Sequence, residues 1–296
     1  MFLLSVLFSK PPSNPMRPLS LIIFLFLSMP VTAQTSADSL ENYLESLPAD
    51  LRVSVVIMDK DSTVLFEQNA KKIVPSASVI KVPILVELMY QTIATRFKLS
   101  DKHRLTEEEK VGGSGDLQYE PPRELTWEEL AVEMIRISDN TATNVLIDKI
   151  GMYNINNMLA YHGYENTRLN RKMMDFDAVK RGVQNYTSAA ESARMMYAIL
   201  TGKITNEVSC KKMIEILLTC ADVTTIPRYI SRTIPVAHKT GTLDYVRGDV
   251  GIIYGNNPLV ISVFVENFES LEYAEKVIGT VSKVAFDSWG TGLPNH

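Results

Sequence analysis

The chain has 296 residues, 46% hydrophobic and 22% charged, the balance of a folded protein with room for one compound domain or two interlocked ones. Its formal charge is −4, and acidic and basic residues are interspersed. No basic stripe of the kind nucleic acid requires is present, so a polyanionic partner is not expected.

The first 33 residues differ in character from the rest. Arg17 precedes an apolar run, residues 19–29, flanked by Pro18 and Pro30 and followed by Val31-Thr32-Ala33. These are the parts of a secretory signal, cleaved before Gln34. The run is about 11 residues, too short to span a bilayer as a helix. A buried N-terminal helix is the alternative reading of the same apolar length. Met16 also begins a complete signal, so translation from Met1 or from Met16 fits equally. The expected location is secreted or periplasmic, with no stable membrane anchor once the signal is removed.

Beyond the signal, residues 39–46 read as a helix start. Residues 52–58 and 63–66 are short and β-branched around an Asp59-Lys60-Asp61 turn, a hairpin. From Ser78 the pattern turns helical, with Ile80, Ile84, Leu85, Leu88 and Met89 at helical spacing. Helical stretches follow at 127–137, 141–150, 188–200 and 206–219. They are interrupted by the glycine-rich 112–115 and by an irregular segment, 168–186. Strand patterns return at 234–239, 250–254 and 259–265, and an amphipathic helix is expected over 271–286. Strands at both ends with helices between predict an α+β fold. Its antiparallel sheet is built from both termini, in a three-layer α/β/α sandwich with an inserted helical subdomain. The division expected is 34–76 with 221–296 for the α/β part and 77–220 for the helical part, the active site lying in the cleft between them.

Two cysteines, Cys210 and Cys220, flank a stretch of helical pattern. Along a helix they would be about 15 Å apart, beyond disulfide reach, so free thiols are expected. Neither has a histidine nearby in sequence, which argues against a thiol nucleophile. The four histidines lack zinc-ligand spacing, and neither a metal nor another cofactor is expected.

Three short patterns occur in order: Ser78-Val79-Ile80-Lys81, Ser138-Asp139-Asn140 and Lys239-Thr240-Gly241. Ser-x-x-Lys alone is expected roughly once by chance in such a chain, and each of the others roughly 0.05 to 0.1 times. All three in this order are expected well below about one time in a hundred. Each has a plain reading as well. Ser-Asp-Asn is an ordinary helix start with Ser138 or Asp139 as cap, and Lys-Thr-Gly an ordinary strand end. Asp139 reads as structural in either case, His238 as a packing residue on the opposite strand face from Lys239, and Arg247 as either carboxylate-binding or fold-supporting.

With these triplets the chain resembles the class A β-lactamases and the penicillin-binding serine transferases. Arg168-Leu169-Asn170-Arg171 resembles the opening of that family's Ω-loop, and Asn140-Thr141-Ala142-Thr143-Asn144 continues the middle motif as in many members. The resemblance implies an acyl-enzyme on Ser78, with Lys81 as its base and Ser138 relaying a proton to the leaving nitrogen. It also implies Asn140 on Lys81 and the substrate amide, and an oxyanion hole from the backbone N–H groups of Ser78 and Thr242. Thr240, Gly241 and Thr242 would border the substrate, the threonines and Lys239 holding its carboxylate. Lysine serves as a base only if burial and nearby positive charge lower its pKa several units from about 10.4.

The resemblance fails at one place. Class A enzymes carry a water-positioning glutamate two residues after the second arginine of the loop motif, and here that position is Met173. The family's loop asparagine falls near Asp177, and the aspartate that pairs with the loop arginine is replaced by Asn185. Asp175 and Asp177 are the acids left to activate water. Three functions are therefore expected to compete. The first is an exported serine hydrolase that opens β-lactams with slow deacylation. The second is an enzyme of the same fold acting on cell-wall peptides or esters, and the third a non-hydrolytic β-lactam or muropeptide receptor. The partner in each case is a small β-lactam or acyl-peptide.

Overall fold

A computed structural model describes residues 36–291. The expected export signal, residues 1–33, lies outside the described residues. In chain order come α1 (Ser36–Glu45), β1 (Arg52–Asp59), β2 (Val64–Gln68), β3 (Val74–Pro75) and a 3₁₀ turn (Ala77–Ile80). Next are α2 (Lys81–Ile93), β4 (Lys102–Arg104), β5 (Glu124–Thr126), α3 (Trp127–Arg136), α4 (Asn140–Ile150), α5 (Met152–Tyr161) and α6 (Phe176–Lys180). The rest are β6 (Tyr186–Thr187), α7 (Ala189–Leu200), α8 (Glu207–Leu217), β7 (Val236–Leu243), β8 (Val246–Ile253), β9 (Leu259–Glu266) and α9 (Leu271–Ala285).

The main sheet has the order β2-β1-β9-β8-β7, every pair antiparallel, so strands from the two ends of the sequence meet at β1 and β9. Side-chain alternation splits it into two cores. Val53, Val55 and Ile57 of β1 and Ile261, Val263 and Val265 of β9 pack against Leu40 of α1 and Val277, Ile278 and Val281 of α9. The alternate residues Val56, Met58, Val250, Ile252, Val260 and Phe264 face the helical body. Each core is apolar on both walls, which is why the sheet is covered on both faces and the fold has three layers.

Helix α2 is buried on every side from Val82 to Met89 and forms the axis of the helical body. That body also carries two short ribbons, β3–β6 and β4–β5. Several local expectations are corrected. Ser78 lies in a 3₁₀ turn rather than at the start of an α-helix. The Lys-Thr-Gly strand runs on to Leu243, so the triplet lies inside β7 and not at its end. Asn154, Asn156 and Asn157 hid α5, and the irregular loop contains α6.

Candidate active site

Ser78 sits on a sharp turn. Ala77, just before it, has φ 46°, a left-handed conformation held by the surrounding structure. Ala77 opens the 3₁₀ turn Ala77–Ile80, and the Lys81 N–H donates back to the Ser78 carbonyl, so Lys81 follows Ser78 by one such turn. Gly241 of β7 lies against this turn. A Cβ there would be 3.0 Å from Ala77 Cβ, from the Ser76 carbonyl oxygen and from the Ser78 nitrogen, so glycine permits the strand to approach the Ser78 N–H.

Lys81 is fully buried. Its Nζ donates to the Ser138 carbonyl oxygen at 2.7 Å, to Ser138 Oγ at 3.0 Å and to Asn140 Oδ1 at 3.0 Å, using all three ammonium protons. Ser138 has φ 58°, the turn from which its carbonyl and its hydroxyl both reach the same lysine. Burial holds the Lys81 ammonium well below the ordinary lysine range, and the positive charge of Lys239 pushes the same way. Lys239 is also fully buried, donates to the Thr240 carbonyl at 2.8 Å, and is itself lowered by burial.

Asp139 is structural, as expected. Its Oδ1 caps α4 through the Ala142 N–H at 2.8 Å, and its Oδ2 accepts from the Leu117 N–H at 3.0 Å. Gly115, at φ 101°, lets the loop close onto that carboxylate, since a Cβ would stand 2.1 Å from Oδ2. The Asn140 N–H donates to the Ser114 carbonyl, and its Nδ2 to the Gly112 carbonyl. The glycine-rich loop is thereby strapped over the N-terminus of α4, a role its composition alone did not disclose.

Two cavities meet at Ser78. One, of about 370 Å³, is bordered by Ser138, Lys239, Thr240, Gly241, Thr242 and Arg247. The other, of about 200 Å³, is bordered by Asn140, Arg171, Met173, Met174, Phe176 and Thr242. Ser114 borders both. The residues picked out by the three triplets, with Thr242, thus converge on one place, with Lys81 behind the wall.

Asp175 and Asp177 do not join them. Asp175 Oδ1 accepts from the Ala178 N–H and caps α6, while Asp177 is 79% exposed and pairs with Lys180. Neither lines a cavity with Ser78. Met173, where the sequence resemblance expects a glutamate, lines the cavity wall and is 8% exposed. Asn185 Oδ1 accepts from the backbone N–H groups of Asn170 and Arg171, and the Arg171 guanidinium rests on Gln184 Oε1 instead. The loop is thus held by the side-chain amides of Asn185 and Gln184.

Arg247 is resolved as fold-supporting. It is 3% exposed, and its Nη2 donates to Asp222 at 2.6 Å and to Glu275 at 3.1 Å. Its Nη1 donates to Thr242 Oγ1 at 2.5 Å, so it also fixes a cavity-lining threonine. His238 is not mere packing. Its Nδ1 lies 2.9 Å from Asp249 Oδ2, both groups buried.

No functionally curated protein matches the sequence. Among solved structures, a β-lactamase from Sphaerobacter thermophilus is 30% identical, with a TM-score of 0.77 over 88% of this chain and 96% of that one. PBP-A is 27% identical at a TM-score of 0.77, covering 86% of this chain and 95% of its own, and a Leu-to-Glu mutant of it forms an acyl-enzyme complex with penicillin G. A β-lactamase from Chitinophaga pinensis, 20% identical, shares the fold at a TM-score of 0.79 over 86% of this chain and 98% of that one. The sequence model of the β-lactamase enzyme family matches residues 35–289, the whole span of sheet, helical body and site, and the chain belongs to that family.

Proposed function

We propose that this protein is an exported serine hydrolase that opens β-lactams through an acyl-enzyme on Ser78 and releases the acyl group slowly. The observation that carries this reading is the buried Lys81, hydrogen-bonded to Ser138 and Asn140 and one 3₁₀ turn after Ser78. Ser78 Oγ attacks the lactam carbonyl carbon as its proton passes to a neutral Lys81 Nζ. The carbonyl oxygen takes up negative charge against the N–H groups of Ser78 and Thr242, a contribution of about 10² to 10³ in rate per donor. The C–N bond then breaks, and the nitrogen takes a proton relayed by Ser138 from Lys81. Thr240, Thr242 and Lys239 hold the substrate carboxylate, and Arg247 holds Thr242.

Deacylation needs a second base to activate water. Met173 offers none, and Asp175 and Asp177 are engaged elsewhere. General-base help is worth about 10²- to 10⁴-fold, so the acyl-enzyme should accumulate. The same methionine favours one second reading, a cell-wall acyl-peptide as substrate, with β-lactams as acylating inhibitors. The likeness to PBP-A supports it as well. Stopped-flow turnover of a chromogenic cephalosporin, beside a D-Ala-D-Ala peptide and a simple thioester, separates the two. One equivalent released in a burst followed by slow cephalosporin turnover, with the peptide inert, supports the hydrolase. Fast peptide cleavage supports the second reading, and no burst with any substrate contradicts both.

A further inference from the structure

A groove of about 320 Å³ lies between α2 and α5 on the helical body and shares no residue with the two cavities at Ser78. Glu87 and Gln91 line it from one face of α2, and Arg96 from the turn after that helix. Asn154, Met158 and Tyr161 line it from one face of α5, at the three- and four-residue spacing that brings helical side chains together. Its volume is that of a small-molecule site, about 300 to 1,000 Å³.

Glu87 is 7% exposed, yet it belongs to no ion pair among the described residues. Gln91 Nε2 donates to Glu87 Oε1 at 2.8 Å and to the Ile150 carbonyl at 2.7 Å, which uses both amide protons. Asn154 Nδ2 donates to the same carbonyl at 2.7 Å and ties α5 to this end of α4. Glu87 Oε2 and Gln91 Oε1 are left without a partner among the described residues. Neither atom is fully enclosed, so both open onto the groove. Burial pushes the Glu87 carboxyl up, while the Gln91 hydrogen bond and the charge of Arg96 pull it down. Arg96 is exposed, and its guanidinium makes no ion pair or hydrogen bond among the described residues. The end of the groove is fixed by Tyr90, whose hydroxyl lies 2.6 Å from His162 Nε2 and donates to the Ile204 carbonyl.

We propose that this groove binds a free α-amino acid, its ammonium group on Glu87 and Gln91 and its carboxylate on Arg96. A buried carboxylate with an unpaired oxygen is stabilised by an incoming cationic donor, a role Arg96 does not fill, since the two side chains form no ion pair. A ligand with a positive charge alone would face Arg96, and one with a negative charge alone would face Glu87. A molecule carrying both charges on neighbouring carbon atoms satisfies the two at once. Met158 and the Tyr161 ring provide an apolar wall for its side chain. The groove makes no use of Ser78, so the inference is independent of the function proposed for that residue.

Calorimetric titration of the full chain at neutral pH tests it with three probes. Leucine carries both charges, isopentylamine is leucine without its carboxylate, and isocaproate is leucine without its ammonium group. Leucine should bind with a Kd of about 1 mM or tighter, and each analogue at least roughly tenfold more weakly. Glu87→Gln and Arg96→Gln should each weaken leucine by roughly tenfold or more. Arg96→Gln should also bind leucine and isopentylamine alike, which a general loosening of the fold would not produce. Arg96 is exposed and unpaired, so this variant decides the question even if Glu87→Gln fails to fold. No leucine binding at about ten times that Kd overturns the site. Isopentylamine or isocaproate binding as tightly as leucine overturns the two-charge recognition, and leucine affinity unchanged in Arg96→Gln overturns the placement. None of these readings involves acylation, so a protein that never reacts with penicillin would fail the function proposed for Ser78 and still decide this inference.

Discussion

Met173 is tied to Asn144 through both of its backbone groups: its N–H donates to Asn144 Oδ1 at 2.8 Å, and its carbonyl accepts from Asn144 Nδ2 at 3.1 Å. The side chain at this position is therefore delivered to the cavity wall by a backbone that does not depend on what the side chain is. Asn144 belongs to the first turns of α4, so the same helix that carries Asn140 sets the place of residue 173.

That arrangement makes Met173→Glu informative. A carboxylate should appear where the backbone already points, beside Ser78, and supply the missing general base. Deacylation of a penicillin adduct should accelerate by about 10²-fold or more, with acylation changed far less. Single-turnover decay of the adduct measures it, and an unchanged lifetime would show that the methionine is not what limits release.

Lys81 sets the pH dependence. Acylation requires its neutral form, so the rate should rise with pH through a value below the ordinary lysine range, about 10.4. The unfolded chain keeps that proton to higher pH than the folded one. Between the two values the unfolded state binds more protons, and stability should rise with pH; below the folded value this group adds no slope. Lys81→Met should flatten part of that rise in urea titrations and lower acylation by about 10²- to 10⁴-fold.

Gly241→Ala should damage chemistry more than stability. The added methyl meets the turn of Ser76, Ala77 and Ser78 at 3.0 Å, and β7 must back away from the nucleophile. A displacement near 1 Å can cost about 10²-fold, so acylation should fall by roughly 10- to 100-fold. Thermal unfolding, with an overpacking cost of about 1–3 kcal/mol, should still show a cooperative fold.

Arg247→Ala leaves Asp222 and Glu275 facing each other without their shared cation. Losing one partner of a buried pair should cost about 3 kcal/mol, read as a lower urea midpoint at neutral pH. Burial opposes the Asp222 charge, yet Arg247 holds that carboxyl well below the usual range. The stabilisation is therefore complete above about pH 3.9 and fades as pH falls towards the folded value, so wild type and variant should converge in acid.

What the sequence disclosed was what repeats locally. The short β-branched apolar runs of β1 and β9 and the helical spacing after Ser78 identify elements because each pattern is complete within one local stretch of sequence. The three triplets disclosed the site for the same reason, each being a single turn or strand segment. Strand β7 was read short because Lys239-Thr240-Gly241-Thr242 lacks an apolar pattern, its residues facing a cavity and a neighbouring buried arginine. Composition supplies Asp175 and Asp177 as acids near Met173 but does not show that the fold uses the first as a helix cap and leaves the second in solvent. The His238–Asp249 pair is invisible in the sequence because two separate strands contribute to it.

The central claim is that Ser78 carries a long-lived acyl group, and intact-protein mass spectrometry after brief mixing with penicillin G tests it most directly. The account predicts one added penicillin per chain, located on the peptide containing Ser78, persisting well beyond the mixing time and absent from Ser78→Ala. Rapid penicillin consumption without any trapped adduct, or an adduct that survives in Ser78→Ala, would contradict it.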